Sequence, residues 1–309
     1  MSKYIRGDLL IYTNKGLKRL DKLNKEEYLL KDEKNNNVEI NEIIRCNLKN
    51  FYLYKIKTIH NIDNYYLDGY NKIFCIQNIP YELKINECKK FIEDNTRICS
   101  PSFINIKDIT EFDFIGFPFT NNEIEDISQD EIDKYRFYGI ILLINTKNIS
   151  LNNNLNKNTI GFLNKYLHNN NIPFEIFNNN ITSNIKFDIP VLSIDELYNL
   201  SYTNTLHLIK GFCEINSVIN TTNKEDFYLL KNIFIKVGIL LSVNYIQNNY
   251  IIKIPNPTDS IDNNFFIYNN NIWSKIKKIT KTEKLTNGQL YCINTLNKSK
   301  FLTEIGLIE

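Results

Sequence analysis

Apolar positions run through this chain in two rhythms, short blocks at both ends and longer blocks in the middle. Near the start, Leu9–Tyr12 is an apolar run between the turn signals Gly7-Asp8 and Asn14-Lys15-Gly16, which predicts a strand between turns. Tyr65 to Ile76 reads as a further strand. So do the segments around Leu290 to Asn294 and Phe301 to Leu307. In the middle, Tyr135–Ile144 and Leu206–Asn216 read as apolar helices, each with one internal glycine, Gly139 and Gly211. From Lys224 to Ile239, the residues Phe227, Leu230, Ile233, Phe234 and Val237 recur at helical spacing. Gly238 closes that helix, and a strand from Val243 to Ile254 is expected next, stopped by Pro255 and Pro257.

A chain of 309 residues suggests about two domains. Its 43% hydrophobic content is enough for sizeable cores. Runs of asparagine, such as Asn35–Asn37, Asn178–Asn180 and Asn269–Asn271, belong in turns, because asparagine tolerates left-handed backbone. The richness in Asn, Ile, Lys and Tyr is what A/T-rich codons give, and points to an A/T-rich genome such as that of a large DNA virus or a protozoan. No segment reads as a signal peptide or a membrane span. Cys46, Cys75, Cys88, Cys99, Cys213 and Cys292 show no paired spacing and read as reduced thiols of an intracellular protein, in cytoplasm or nucleus. His60, His168 and His207 are scattered, so no metal site and no cofactor is implied.

The net charge of +2 gives little overall attraction for nucleic acid, so local clusters matter. Lys275, Lys277, Lys278, Lys281 and Lys284 form one basic stretch, and Lys15, Lys18, Arg19, Lys22 and Lys25 another. Both fit solvated strand and turn surfaces, or together one basic face.

The segment Gly7 to Leu23, taken with Lys275–Ile279, Leu290–Thr295 and Lys300–Glu309, resembles the opening and closing motifs of an intein, a self-splicing protein with its first and last residues side by side. The resemblance implies a β-rich Hint domain. It puts the splicing nucleophile at Tyr4, where a phenol cannot carry out the acyl shift of a thiol or hydroxyl. Ser2 is two residues out of register and preceded only by Met1, so no N-terminal flanking segment is expected. The Thr-x-x-His signature falls on Asp68 and Asn71, and an amide cannot deliver a proton as imidazole does. The closing His-Asn pair is missing, since Ile308 is followed by Glu309. Cys292 stands where many inteins carry an acidic residue or a cysteine.

In the middle, Phe137–Asn145 and Leu208–Val218 resemble the paired helices of a LAGLIDADG homing endonuclease. That resemblance implies that Gly139 and Gly211 let the helices pack backbone to backbone. It places the two metal-holding aspartates at Ile144 and Asn216, which lack the carboxylates that hard cations prefer. Glu214 lies two residues before Asn216, roughly 200° round the helix, and is expected to point elsewhere. Such proteins bind DNA on a curved sheet, which Lys186 and Lys253 would flank.

The expected fold is therefore α+β. Residues 1–120 and 262–309 would form the Hint-like domain. Residues 121–261 would form an inserted α/β domain of two αββα halves. The expected function is that of a non-enzymatic DNA-binding accessory factor in transcription, replication or packaging, with both ancestral activities lost. The alternative is a scaffold or interaction subunit that never touches DNA. Duplex DNA and a protein are accordingly the expected partners, and a membrane is not.

Overall fold

The computed structural model describes residues 3–119, 124–142, 150–151, 157–173, 175–177, 180–182, 192–215, 218–255, 265–282, 284–285 and 288–309. Within them the short apolar blocks form antiparallel strands and the longer ones helices, giving a mixed α+β protein. The helices are α1 (Ile85–Asp94), α2 (Gln129–Ile141), α3 (Lys157–Asn169), α4 (Ile194–Asn199), α5 (Tyr202–Cys213) and α6 (Lys224–Ile235). None of the described helices is long and apolar enough to cross a membrane.

The chain divides into two compact units, Met1–Asn121 with Asn220–Glu309, and Asn122–Ile219. In the first, terminal unit, the two chain ends share their sheets. Strand Ile5–Arg6 lies between Gly288–Thr295 and Tyr65–Leu67, with Ile5 opposite both Tyr291 and Leu67. Strand Leu10–Thr13 pairs with Phe301–Thr303, which turns back into Gly306–Ile308 beside Lys72–Ile76. Inward-facing Ile5, Leu9, Ile11, Ile73, Ile305 and Ile308 meet in one core.

Two hairpins at opposite ends of the chain are built alike. Thr13-Asn14-Lys15-Gly16-Leu17 and Thr303-Glu304-Ile305-Gly306-Leu307 share the pattern Thr-x-x-Gly-Leu. In each, the threonine Oγ1 donates to the glycine carbonyl, at 2.6 Å and 2.7 Å. The same Oγ1 accepts the N–H two residues on, at 3.1 Å and 3.3 Å. Gly16 (φ 86°) and Gly306 (φ 113°) occupy backbone conformations that a β-carbon disfavours. The asparagine-rich turns use the same left-handed region, at Asn35, Asn50, Asn78, Asn171, Asn248, Asn269 and Asn270.

The second unit holds α2 to α5 and a three-stranded antiparallel sheet of Ser150–Leu151, Asn180–Thr182 and Glu175–Phe177. The Ser128, Ser193 and Ser201 side chains each accept the N–H three residues on and so cap α2, α4 and α5.

Several sequence-based expectations are corrected. The described residues 220–255 group with the terminal segments, where the sequence reading placed them with residues 121–261. The physical reason is α6, which buries Phe227, Leu230, Lys231, Ile233, Phe234 and Ile235; Ile235 and Leu240 belong to the terminal unit's core. The element order is also not αββα. Among the described residues the chain runs α2, strand, α3, two strands, then after α4 it runs α5, strand, α6, two strands. Helix α3 occupies sequence without strand alternation, and its Thr159, Leu163 and Leu167 face inward four residues apart. The stretch Tyr65–Ile76 is two strands, Tyr65–Leu67 and Lys72–Ile76, separated by a turn in which Tyr70 N–H donates to Asp68 Oδ1 (2.8 Å). Val243–Ile254 is a hairpin, Ser242–Ile246 and Asn249–Lys253, turning at Gln247 and Asn248 with positive φ.

Candidate functional site

The sheet pairing of the two ends gathers Tyr4, Asp68, Asn71 and Glu309 at one junction in the terminal unit. The Tyr4 carbonyl oxygen accepts two hydrogen bonds, from Asp68 N–H (2.8 Å) and from Asn71 Nδ2 (2.7 Å). Asn71 is buried, and its amide also donates to the Asp68 carbonyl at 3.2 Å. Glu309 N–H donates to the Lys72 carbonyl (3.0 Å), and Lys72 Nζ meets Glu309 Oε2 at 3.1 Å. Lys3 Nζ donates to the Glu309 main-chain oxygen at 2.8 Å. Burial pushes the Asp68 carboxyl up, partly offset by the N–H of Tyr70.

Cys292 lies half-buried on the strand Gly288–Thr295. Burial pushes its thiol up, and the nearby Lys3 backbone opposes this only in part. A protonated thiol is a poor nucleophile, and an amide such as that of Asn71 orients a carbonyl without transferring a proton. The junction thus has the hydrogen bonds to hold the Tyr4 carbonyl in place.

Helices α2 and α5 of the second unit meet through glycine. A β-carbon on Gly139 would lie 1.9 Å from the Leu208 carbonyl oxygen, and one on Gly211 would lie 1.9 Å from that of Arg136. Only residues without side chains permit that approach. The contact is bracketed by a bidentate ion pair: Arg136 Nε to Glu214 Oε1 (2.6 Å) and Arg136 Nη2 to Glu214 Oε2 (2.9 Å). Thr159 Oγ1 adds a hydrogen bond to Glu214 Oε2 at 3.0 Å. The Glu214 carboxylate is thereby committed to structure. Ile144, Asn216 and Lys186 lie outside the described residues. Lys253 is exposed at the end of strand Asn249–Lys253, opposite Ser242. Among the described residues, no group of three or more His, Cys, Asp or Glu is placed to hold a metal ion.

One polar cluster was not anticipated. Lys231 of α6 and Glu304 of the closing hairpin form an ion pair, Nζ to Oε1 2.7 Å, with both side chains at 0% exposure. Lys231 Nζ also donates to the carbonyls of His60 (2.7 Å) and Glu304 (3.1 Å). Asn61 Nδ2 donates to Glu304 Oε2 at 2.8 Å and to its carbonyl at 3.0 Å. Burial pushes the Lys231 ammonium down, and Glu304 opposes this. The signal was present in the chain: Lys231 sits four residues after Phe227 and three before Phe234, on the apolar stripe of a helix.

Compared with known proteins, the chain matches no family model and no curated protein sequence.

Proposed function

We propose that this protein is a splicing- and nuclease-inactive relative of inteins with a LAGLIDADG-type insert, and that it acts as a DNA-binding accessory factor. The observation that carries the reading is the contact between α2 and α5 at Gly139 and Gly211, since backbone-to-backbone helix packing through small residues is what the LAGLIDADG motif implies. The junction supports the inactive half. Tyr4 offers a phenol where a thiol or hydroxyl is required, Asn71 an amide where imidazole is required, and Glu309 a side chain that does not cyclise as asparagine does. Insertion of the chain between two reporter proteins should leave the fusion intact, and ligated or cleaved reporters would overturn this part.

DNA binding is tested by titrating labelled duplex with the full chain at several salt concentrations, with Mg²⁺ present. The expected result is binding without cleavage, weakening with salt by roughly −0.9 in logarithmic slope per phosphate contact. The paired change Lys186→Glu and Lys253→Glu should weaken it further. Absence of binding at low salt refutes the DNA reading. The scaffold reading then takes its place, favoured by the small net charge of +2.

A further inference from the structure

At the edge of the six-stranded sheet of the terminal unit, strand Lys278–Lys281 pairs with Tyr54–Lys57. The register sets Lys278 opposite Lys57, Ile279 opposite Ile56 and Thr280 opposite Lys55. Successive side chains in a strand point to opposite faces. Ile56 is therefore buried on one face, while Lys55, Lys57 and Lys278 share the other. Lys277 N–H donates to the Lys57 carbonyl at 2.9 Å, which draws a fourth lysine to the same place. The four lysines and Asn64 line a cavity of about 340 Å³, far above the roughly 10–15 Å³ that one water molecule requires.

Among the described residues, none of these four ammonium groups makes an ion pair. Two acids lie beside this part of the sheet. Asp63 is held by Lys224 and Tyr228, and Glu111 Oε1 accepts the N–H of Ile279 at 3.4 Å. In the wall, the Asn64 Oδ1 is buried without a hydrogen-bond partner. An amide reverses by a half-turn of its terminal torsion, so this group can present N–H donors to an anion. On the next strand Tyr66 stands opposite Lys55, with the Arg6 guanidinium 4.6 Å from its ring centroid. Like charges directly opposite each other in an antiparallel pair repel, and an anion between them removes that repulsion.

We propose that this cavity binds phosphoryl oxyanions, supplied either by a nucleic-acid backbone or by a free polyphosphate. It rests on the DNA-binding reading only for the first of these sources. The test uses the full chain and inorganic tripolyphosphate, with binding followed calorimetrically at low salt. The wild type should bind. Replacing Lys57 and Lys278 together by Gln should weaken binding by about tenfold or more, since two charges near contact distance are lost. Replacing both by Arg should preserve it, and replacing the exposed Lys90 and Lys134 by Gln should not disturb it. A merely structural role for the lysines predicts a lower melting temperature for the Gln pair. The ligand site predicts an unchanged or higher one, because a repulsion has been removed.

The proposal fails if the wild type does not bind tripolyphosphate, or if the Lys90/Lys134 pair lowers affinity as much as the Lys57/Lys278 pair. Displacement of tripolyphosphate by duplex DNA identifies a nucleic-acid backbone as the source, and lack of displacement a free polyphosphate; either result keeps the site. A chain that binds tripolyphosphate but no duplex retains the cavity and loses the proposed function. One that binds duplex but no tripolyphosphate does the reverse.

Discussion

Gly211→Ala is the sharpest probe of the second unit, because it adds one methyl group against unyielding backbone. The new β-carbon would meet the Arg136 carbonyl oxygen at 1.9 Å, its carbon at 2.7 Å and its Cα at 3.0 Å. Bringing the shortest of these to an ordinary approach of 3.4 Å requires α2 and α5 to part by about 1.5 Å. Overpacking of that kind costs about 1–3 kcal/mol. Alanine offsets part of it, since it favours a helix interior over glycine by about 0.5–1 kcal/mol. The net expectation is a loss of up to about 2.5 kcal/mol, opposite in sign to the effect of alanine at an open helix position. Gly161 in α3 is the internal control: its β-carbon would meet nothing within 4 Å, so Gly161→Ala should stabilise by about 0.5–1 kcal/mol. Urea unfolding followed by far-UV circular dichroism reads the helices, while the single tryptophan, Trp273, reads the terminal unit. Gly139→Ala should behave like Gly211→Ala. The double variant should cost less than the sum, because one separation of the helices accommodates both methyl groups. Equal shifts for Gly211→Ala and Gly161→Ala would refute the close contact.

Three further outcomes follow from the polar contacts. Lys231→Met strands the buried Glu304 carboxylate and should cost about 3–5 kcal/mol in thermal melts read at Trp273. A smaller loss for Lys231→Met combined with Glu304→Gln is expected, and an equal or larger one would refute the coupling. Burial, with repulsion from Lys31, pushes Lys236 down to about 8, against about 10.4 in an unfolded chain. Between those values the unfolded chain binds more protons, so this lysine makes stability rise with pH. Relative to wild type, Lys236→Met should lose stability from pH 8 towards pH 10, and a pH-independent difference would refute the assignment. Arg136→Lys cannot reproduce the fork that holds Glu214, nor the guanidinium 3.9 Å over the Phe162 ring. It should cost about 1.5–3 kcal/mol, and a loss below about 0.5 kcal/mol in urea unfolding would show the ion pair to be incidental.

Much of the terminal unit was legible because strand periodicity and turn chemistry are local. Thr13–Gly16 advertises its turn through glycine, whereas Phe301 to Leu307, read as one strand, is a hairpin of Phe301–Thr303 and Gly306–Ile308 that turns in the same way. Helices α2, α5 and α6 were legible for the same reason, though α6 ends at Ile235 rather than at Ile239; α1, α3 and α4 were not read from the sequence. What periodicity does not contain is the partner of each face. Phe227, Leu230 and Phe234 announce that α6 buries a stripe, but nothing local says that the stripe belongs with the strands of the two chain ends. The grouping of residues 220–255 with the chain ends is for that reason not contained in the periodicity. Likewise Lys55-Ile56-Lys57 reads as an ordinary edge pattern. Only the pairing with Lys278–Lys281, more than two hundred residues away, turns it into a cluster of four cations.

The junction and the lysine cavity use polarity in opposite ways, and the contrast bears on what each can do. At the junction the polar groups are satisfied from within: the Tyr4 carbonyl holds two donors, the Asn71 amide reaches two carbonyls, and Glu309 meets Lys3 and Lys72. Such a network ties the segments around Tyr4, Asn71 and Glu309 to one another. The Asn71 amide serves there as a donor that orients the Tyr4 carbonyl. At the cavity, four ammonium groups face one another with no carboxylate partner among the described residues. Lysine on an edge strand discourages pairing with another chain, but Lys57 opposite Lys278 still repels where a carboxylate at either position would attract. An arrangement that opposes stability and is open to solvent is explained by what it attracts, and for four lysines around about 340 Å³ that is an anion with more than one charge.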